Sequence, residues 1–233
     1  MLFLRFWELH RWTPYVQHFP QRHFGSMIAL TLDKMLESLD LTNPDLLKFC
    51  VNDNASNMQK AIRESIYLEQ YLCDNHTLQL VIRDTFEAVK GMKDLLKKTK
   101  DLAKMTRQSS SVANQQLKKQ CKEMEIKYLK LKNPVETRWN SQEMNMSSVL
   151  QLKPALQVLF TPDEEEGNIW TPFALSPSEW KLLQGAVTVL KPFKLTTKAW
   201  EAEKIPTLNL VIERLYTMNE GLRAFIASPA HCR

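Results

Sequence analysis

Three short constellations in this 233-residue sequence carry residue types that could work on a phosphodiester or hold a metal ion. The first is Asp53, in Val51-Asn52-Asp53-Asn54, directly after the apolar run Leu46 to Val51. Two-metal phosphodiester chemistry needs carboxylates delivered from separate strands, because together they must hold two divalent ions. Those ions activate the attacking oxygen and stabilise the leaving one. A carboxylate emerging just past a buried strand is placed for that task, at the carboxyl end of a sheet where open α/β folds put their chemistry. The same position suits a plain helix cap, a routine use of aspartate. The second constellation, Cys73-Asp74-Asn75-His76, has the look of half a zinc site. Zinc takes four protein ligands, or three plus water. No second C-x-x-C or H-x-x-H pair occurs, and His10, His18 and His23 lie in a differently patterned region. A structural role for Cys73 and His76, with the imidazole bonded to backbone or to a carboxylate, is the simpler reading. The third is Arg138-Trp139. An indole can brace a base taken out of its stack, and an arginine reads phosphate or guanine. A tryptophan opening an amphipathic helix serves equally well as core.

Charge distribution adds a fourth feature. The formal net charge is only +5, yet residues 90–132 carry 13 Lys/Arg against 4 Asp/Glu, leaving 18 basic and 22 acidic residues elsewhere. A basic arm on a faintly acidic body points to a polyanion partner, or to a solvated helix face. Lys97, Lys98, Lys118 and Lys119 are the candidate phosphate contacts, each adding salt dependence without sequence preference. The sequence has no Gly-rich phosphate loop, nucleophile elbow or complete Ser/His/Asp or Cys/His arrangement.

Elements that would position these residues can be read from periodicity. Residues 1–20 are aromatic and β-branched, punctuated by Pro14 and Pro20, and suggest one or two strands. Phe24, Ile28, Leu32, Leu36 and Leu39 fall at helical spacing, and Asn43-Pro44 stops that helix. Leu46 to Val51 reads as a buried strand, Ala55 to Ile62 as a helix, and Tyr71 to Cys73 as a second short strand. From Thr77 one long helix is expected to run to Ala103, ending before Gln108 to Ser111. Ser111 then caps a helix through Met124. Lysines on both helices line one side of a basic helical hairpin over residues 77–132. Thr137-Arg138-Trp139-Asn140 opens a helix through Leu159, with Pro154 bending or breaking it. Residues 161–177 are acidic and proline-rich, the best candidate for a linker. Ser176-Pro177-Ser178-Glu179 is a capping box with proline at the first helical position. Two helices, about 178–198 and 207–226, follow.

Composition is that of a helix-rich globular protein: 44% hydrophobic and 24% charged, with 5 glycines. The cysteines Cys50, Cys73, Cys121 and Cys232 have no framework spacing, which fits a reducing compartment. The apolar opening residues are interrupted by Arg5 and Glu8, too soon for a signal peptide. No run approaches the roughly 20 apolar residues of a membrane helix. A nuclear or cytoplasmic protein is expected, with no membrane partner.

These features occur in an order that resembles the transposases of the hobo–Activator–Tam (hAT) family. Val51-Asn-Asp-Asn-Ala-Ser-Asn-Met58 is similar to the family's second catalytic-aspartate motif, T-D-N-A-S-N-M. Cys73-Asp-Asn-His76-Thr-Leu-Gln-Leu80 resembles its C-x-x-H-x-L-x-L, and Thr137-Arg138-Trp139-Asn140-Ser141 its T-R-W-N-S. Arg22-His-Phe-Gly-Ser-Met-Ile-Ala29 and Ile205-Pro-Thr-Leu-Asn-Leu210 resemble R-H-T-G-x-N-I-A and Y-P-T-L-x-L. The resemblance covers nearly the whole chain. It implies a helix-rich α/β fold: a partial RNase H-like core over residues 1–160, a few-stranded sheet with flanking helices, then the start of an all-helical insertion over 178–233. It also implies that Asp53 is the second of three metal-binding carboxylates, that Cys73 and His76 belong to the active-site neighbourhood, and that Arg138 and Trp139 handle a cleaved DNA end. Intact family members use Mg or Mn to cut transposon ends and join them to target DNA.

Departures from the family pattern shape the expected function. No Asp precedes Asp33, and Asp33 sits within the first amphipathic helix, a poor substitute for the first carboxylate. The third carboxylate, a Glu beyond the insertion, is absent from these 233 residues. One carboxylate of three cannot hold two metals, so this chain is expected to be a transposase-derived protein, truncated relative to the family, with a vestigial Asp53 and no cofactor. Residual nonspecific DNA binding is expected. Alternatives are a domesticated DNA- or protein-interaction module, which could oligomerise through exposed core, and a fragment of an active transposase.

Overall fold

The computed structural model describes residues 18, 22–45, 48–53, 55–108, 110–136, 138–161, 168–201 and 210–227. The strands expected within residues 1–20 lie outside the described residues, except for His18, as do Leu46 and Leu47 of the first apolar run. Residues 162–167 of the 161–177 linker and the first residues of the final helix, 207–209, also fall outside them. The chain divides into two compact units, one of residues 1–80 with 199–211 and one of 81–198 with 212–233.

In the first unit, α1 (Gly25–Ser38) packs on α2 (Ser56–Glu64), and two short strands, β1 (Phe49–Asn52) and β2 (Glu69–Leu72), pair in parallel. The fold is therefore helix-rich α/β with a small parallel sheet among the described residues. Ala29, Leu36, Ala61, Ile62, Leu78 and Trp200 are its buried apolar side chains among the described residues. The close approach of α1 to α2 depends on Gly25. A Cβ there would stand 2.7 Å from Lys60 Cβ and 2.9 Å from the Asn57 carbonyl oxygen. Asp33 on α1 accepts hydrogen bonds from the Ser65 hydroxyl and, at 3.3 Å, from the Ile66 amide. Tyr67 Oη donates to Glu37 at 3.2 Å. Asp33 thus ties down the α2–β2 turn, and α1 is a strut for the sheet.

Helix α3 (Asp74–Ala88) follows β2 directly, and the unit division falls within it. The single long helix expected from Thr77 to Ala103 is two helices, because Gly91 adopts φ +81° and hands the chain to α4 (Met92–Met105). Glycine visits the left-handed region without a Cβ penalty, so the break falls there. Met92, Leu95, Thr99, Leu102 and Ala103 form the buried stripe of α4. Helix α5 (Val112–Glu123) is capped as expected, the Ser111 side chain accepting from the Asn114 amide at 3.2 Å. Helices α6 (Trp139–Gln151) and α7 (Lys153–Leu159) are separated at Leu152, with Pro154 in the first turn of α7 where its missing N–H costs nothing. In this unit α4 packs mainly on α6, and α5 on α7.

Helix α8 (Pro177–Trp200) begins with the capping box read from the sequence. Ser176 N donates to Glu179 Oε2 at 2.8 Å, and Glu179 N donates to Ser176 Oγ at 3.2 Å. Phe160, Trp170 and Trp180 form an aromatic cluster with centroids 6.4 and 6.5 Å apart. Trp170 Nε1 donates to Gln116 at 2.7 Å, which lets the indole be buried without a stranded donor. Helix α9 (Val211–Ala227) has no buried residue. No helix among the described residues is long and apolar enough to cross a membrane.

Candidate nucleic-acid interface

The parallel register brings the first two sequence constellations together. Asn52 pairs with Leu72, and Cys73 N donates to the Asn52 carbonyl at 2.8 Å. Asp53 and Cys73 therefore leave the same sheet end side by side, each one residue past the last paired position. Asp53 is exposed, and its Oδ1 accepts the Ala55 amide at 3.1 Å, which turns the chain into α2. Cys73 is a half-buried free thiol at the start of α3, and His76 is half-buried in the first turn. Tyr71 Oη donates to Asp74 at 3.0 Å; burial first, then Asp74, raises the Tyr71 pKa. Burial likewise pushes the Cys50 thiol up. No group of three or more His, Cys, Asp or Glu side chains among the described residues could hold a metal ion. The described donors therefore do not fit a two-ion centre.

Arg138 is exposed at the N-cap of α6, while Trp139, the first residue of that helix, is only 3% exposed. The approach to this helix is pinned. Val135 N donates to Ser141 Oγ at 2.8 Å, and Gln142 Nε2 donates to the Glu136 carbonyl at 3.0 Å. The pinned turn presents Arg138 to solvent and buries the indole beside it, so the two side chains occupy different environments. Thr137 lies outside the described residues.

The candidate lysines separate in the same way. Lys98 is drawn inward: its Nζ reaches Glu179 at 2.7 Å and the Ala174 carbonyl at 3.3 Å, bracing the start of α8. Burial works against ionisation of Glu179, but the hydrogen bonds from Lys98 and Ser176 outweigh it, and its pKa is lowered. Lys118 sits 5.3 Å from the Tyr128 ring centroid, and Lys119 faces Glu123 at 3.8 Å one turn on. Lys97 is exposed and belongs to a different arrangement.

That arrangement is a groove of about 630 Å³ between α4, residues 134–136 and the first turns of α6. Lys93, Lys97, Lys100 and Lys104 line it, with Asp94, Asp101, Glu136, Gln142 and Asn145. The four lysines stand at i, i+4, i+7 and i+11 of one helix, so they form a single row beside the buried stripe of α4. Charge density alone does not distinguish Lys93, Lys100 and Lys104; this helical spacing is the signal that identifies them. Naming Lys97 with Lys98 joined neighbours that a helix turns about 100° apart. At the groove, Asn145 is 1% exposed and donates through Nδ2 to the carbonyls of Thr99 at 3.2 Å and Lys132 at 2.7 Å. It thereby fixes α4, α6 and the extended segment between α5 and α6 to one another.

Residues 72–189, from the end of β2 into α8, match the family described as the ZBED1 RNase-like helical domain. The chain is also similar to the "Putative AC transposase" of Zea mays, 26% identical over 198 residues that cover 83% of this chain and 24% of that protein. It thus spans about a quarter of that relative's length. The lysine groove, Cys73, His76, Arg138 and Trp139 lie inside the matched residues, and Asp53 lies before them.

Proposed function

This chain belongs to the ZBED1 RNase-like helical domain family and is an hAT-transposase-related protein, and we propose that it is a DNA-contacting part of such a protein, acting in the nucleus and cutting no DNA by itself. The observation that carries this reading is the row of four lysines along the α4 groove. A row of cations on a rigid helix matches the spaced negative charge of a phosphate backbone and reads no sequence. Arg138, exposed at the N-cap of α6, adds a cation two residues from Glu136 of the groove. Asp53 keeps the strand-end position of a family carboxylate, but its bond to the Ala55 amide serves the β1–α2 turn. In this reading 1–160 is the partial RNase H-like core and 178–233 opens the helical insertion.

Fluorescence anisotropy with a labelled duplex tests the binding. Micromolar affinity that weakens steeply as salt rises is expected, and a flat salt response is the opposing result. Incubating the same duplex with Mg or Mn tests the chemistry. No cleavage is expected, and cleavage that disappears in Asp53→Ala contradicts the proposal.

A second reading, a protein-interaction surface, is favoured by the outward apolar side chains of α9. Ile212 is 83% exposed, Tyr216 67% and Ile226 73%, more apolar surface than an unpartnered helix usually shows. Sedimentation over a concentration range checks it. Association that is lost in Ile212→Ser and Tyr216→Ser supports self-contact, and a monomer at every concentration speaks against it.

A further inference from the structure

We infer that the α4 groove is a self-occupied phosphate site, in which the Glu136 carboxylate holds Lys100 until a backbone phosphate of DNA displaces it. This deepens the proposed function and rests on it. Glu136 reaches Lys100 from a different segment of the chain, and their side chains form an ion pair. The pair pulls the Glu136 pKa down, chiefly through the hydrogen bond from Lys100 and then its charge. The Lys100 side chain is 25% exposed and that of Glu136 is 76% exposed, so the lysine belongs to the groove wall and the carboxylate lies over it from the solvent side. A carboxylate offers a cation the same pair of anionic oxygens that a phosphodiester does.

The carboxylate is held in place by its backbone. Pro134 is buried, Ser141 Oγ bonds both Val135 N at 2.8 Å and Val135 O at 2.9 Å, and Gln142 bonds the Glu136 carbonyl. Its long exposed side chain can still swing away without disturbing that support. Elsewhere in the groove Lys104 meets Asp101 at 3.3 Å, whereas Lys93 and Lys97 have no ion-pair partner among the described residues. A strand can therefore engage Lys93 and Lys97 first and Lys100 second, as Glu136 leaves. Four lysines face three carboxylates in the lining, a surplus of one positive charge that becomes two once Glu136 turns out.

An independent observation points to the same place. Asn145, which lines the groove, keeps a buried Oδ1 with no hydrogen-bond partner among the described residues, although its Nδ2 is doubly used. A buried acceptor left open in a lysine-lined groove calls for a donor from an occupant, such as a base amino group.

The test is duplex binding at about 0.1 M salt by the whole chain and by Glu136→Gln, Lys100→Ala, the double variant, and Glu87→Gln as a charge control away from the groove. The expected result is roughly threefold to fivefold tighter binding for Glu136→Gln, the scale an exposed ion pair carries. That gain should be absent from Glu87→Gln and abolished in the Lys100→Ala background. Equal gains in Glu136→Gln and Glu87→Gln, a gain that survives Lys100→Ala, or no gain at all would each overturn the inference while leaving DNA binding intact. Absence of binding by every form sinks the proposed function itself, and this inference with it.

Discussion

Replacing Lys194 with methionine should destabilise the second unit more than neutralising its partner Glu143. Lys194 Nζ on α8 lies 2.6 Å from Glu143 Oε2 on α6, and Ser147 Oγ donates to the other carboxylate oxygen at 2.7 Å. The two ends differ in solvent access: the Glu143 side chain is 5% exposed and that of Lys194 is 46% exposed. Lys194→Met therefore strands a buried carboxylate, whereas Glu143→Gln leaves a lysine that can turn into water. Breaking a fully buried pair costs about 3–5 kcal/mol. With one partner half in water, about 2 kcal/mol for Lys194→Met is the appropriate discount. Glu143→Gln, which keeps a hydrogen-bonding amide, should cost under about 1 kcal/mol. Thermal unfolding followed by circular dichroism reads these as midpoint losses of about 4–8 °C and about 2–4 °C or less. If Glu143→Gln proves as costly as Lys194→Met, the asymmetry in burial does not govern the pair and the reasoning is wrong.

Gly25→Ala should lower the stability of the first unit by about 1–3 kcal/mol, because the added Cβ meets the Asn57 carbonyl as well as the movable Lys60 side chain; urea denaturation measures it. Trp139→Ala should cost about 3–5 kcal/mol as a buried aromatic deletion, while Arg138→Ala leaves the unfolding midpoint in place and weakens duplex binding. Because the folded-state pKa of Glu179 is depressed, its stabilisation is present above the ordinary carboxylate value of about 4.3 and is lost as pH falls through the lowered folded value. The stability gap between wild type and Glu179→Gln should accordingly be widest near neutral pH and close below about pH 4; a gap that is constant from pH 7 to pH 3 contradicts the assignment.

What could be read from sequence was what local chemistry dictates. Ser176 and Glu179 announce a helix start through reciprocal bonds that need only four consecutive residues. Ser111 and Pro154 mark their helix starts for similarly local reasons. Gly91 does not announce the break, because an apolar period continues on both sides of it, and only its positive φ shows that the helix stops. The neighbouring exits of Asp53 and Cys73 follow from parallel register, which no local pattern specifies. The groove was harder still. Its row of lysines is written in α4, but Glu136 and Asn145 come from segments whose arrival depends on the packing of α6 against α4. Charge density marks the stretch of chain that holds the groove without distinguishing Lys97, which lines it, from Lys98, which braces α8.

The most direct measurement of the central claim is the salt dependence of duplex binding by the wild-type chain and by a variant with Lys93, Lys97, Lys100 and Lys104 all changed to glutamine. Glutamine preserves helix propensity, so α4 should persist. Each phosphate contact contributes a slope of about −0.9 in log affinity against log salt. The account predicts that the wild-type slope becomes shallower by about 3.6 in the variant, with a large loss of affinity at low salt. Equal slopes and affinities for the two proteins would contradict it, since the α4 groove would then take no part in holding DNA.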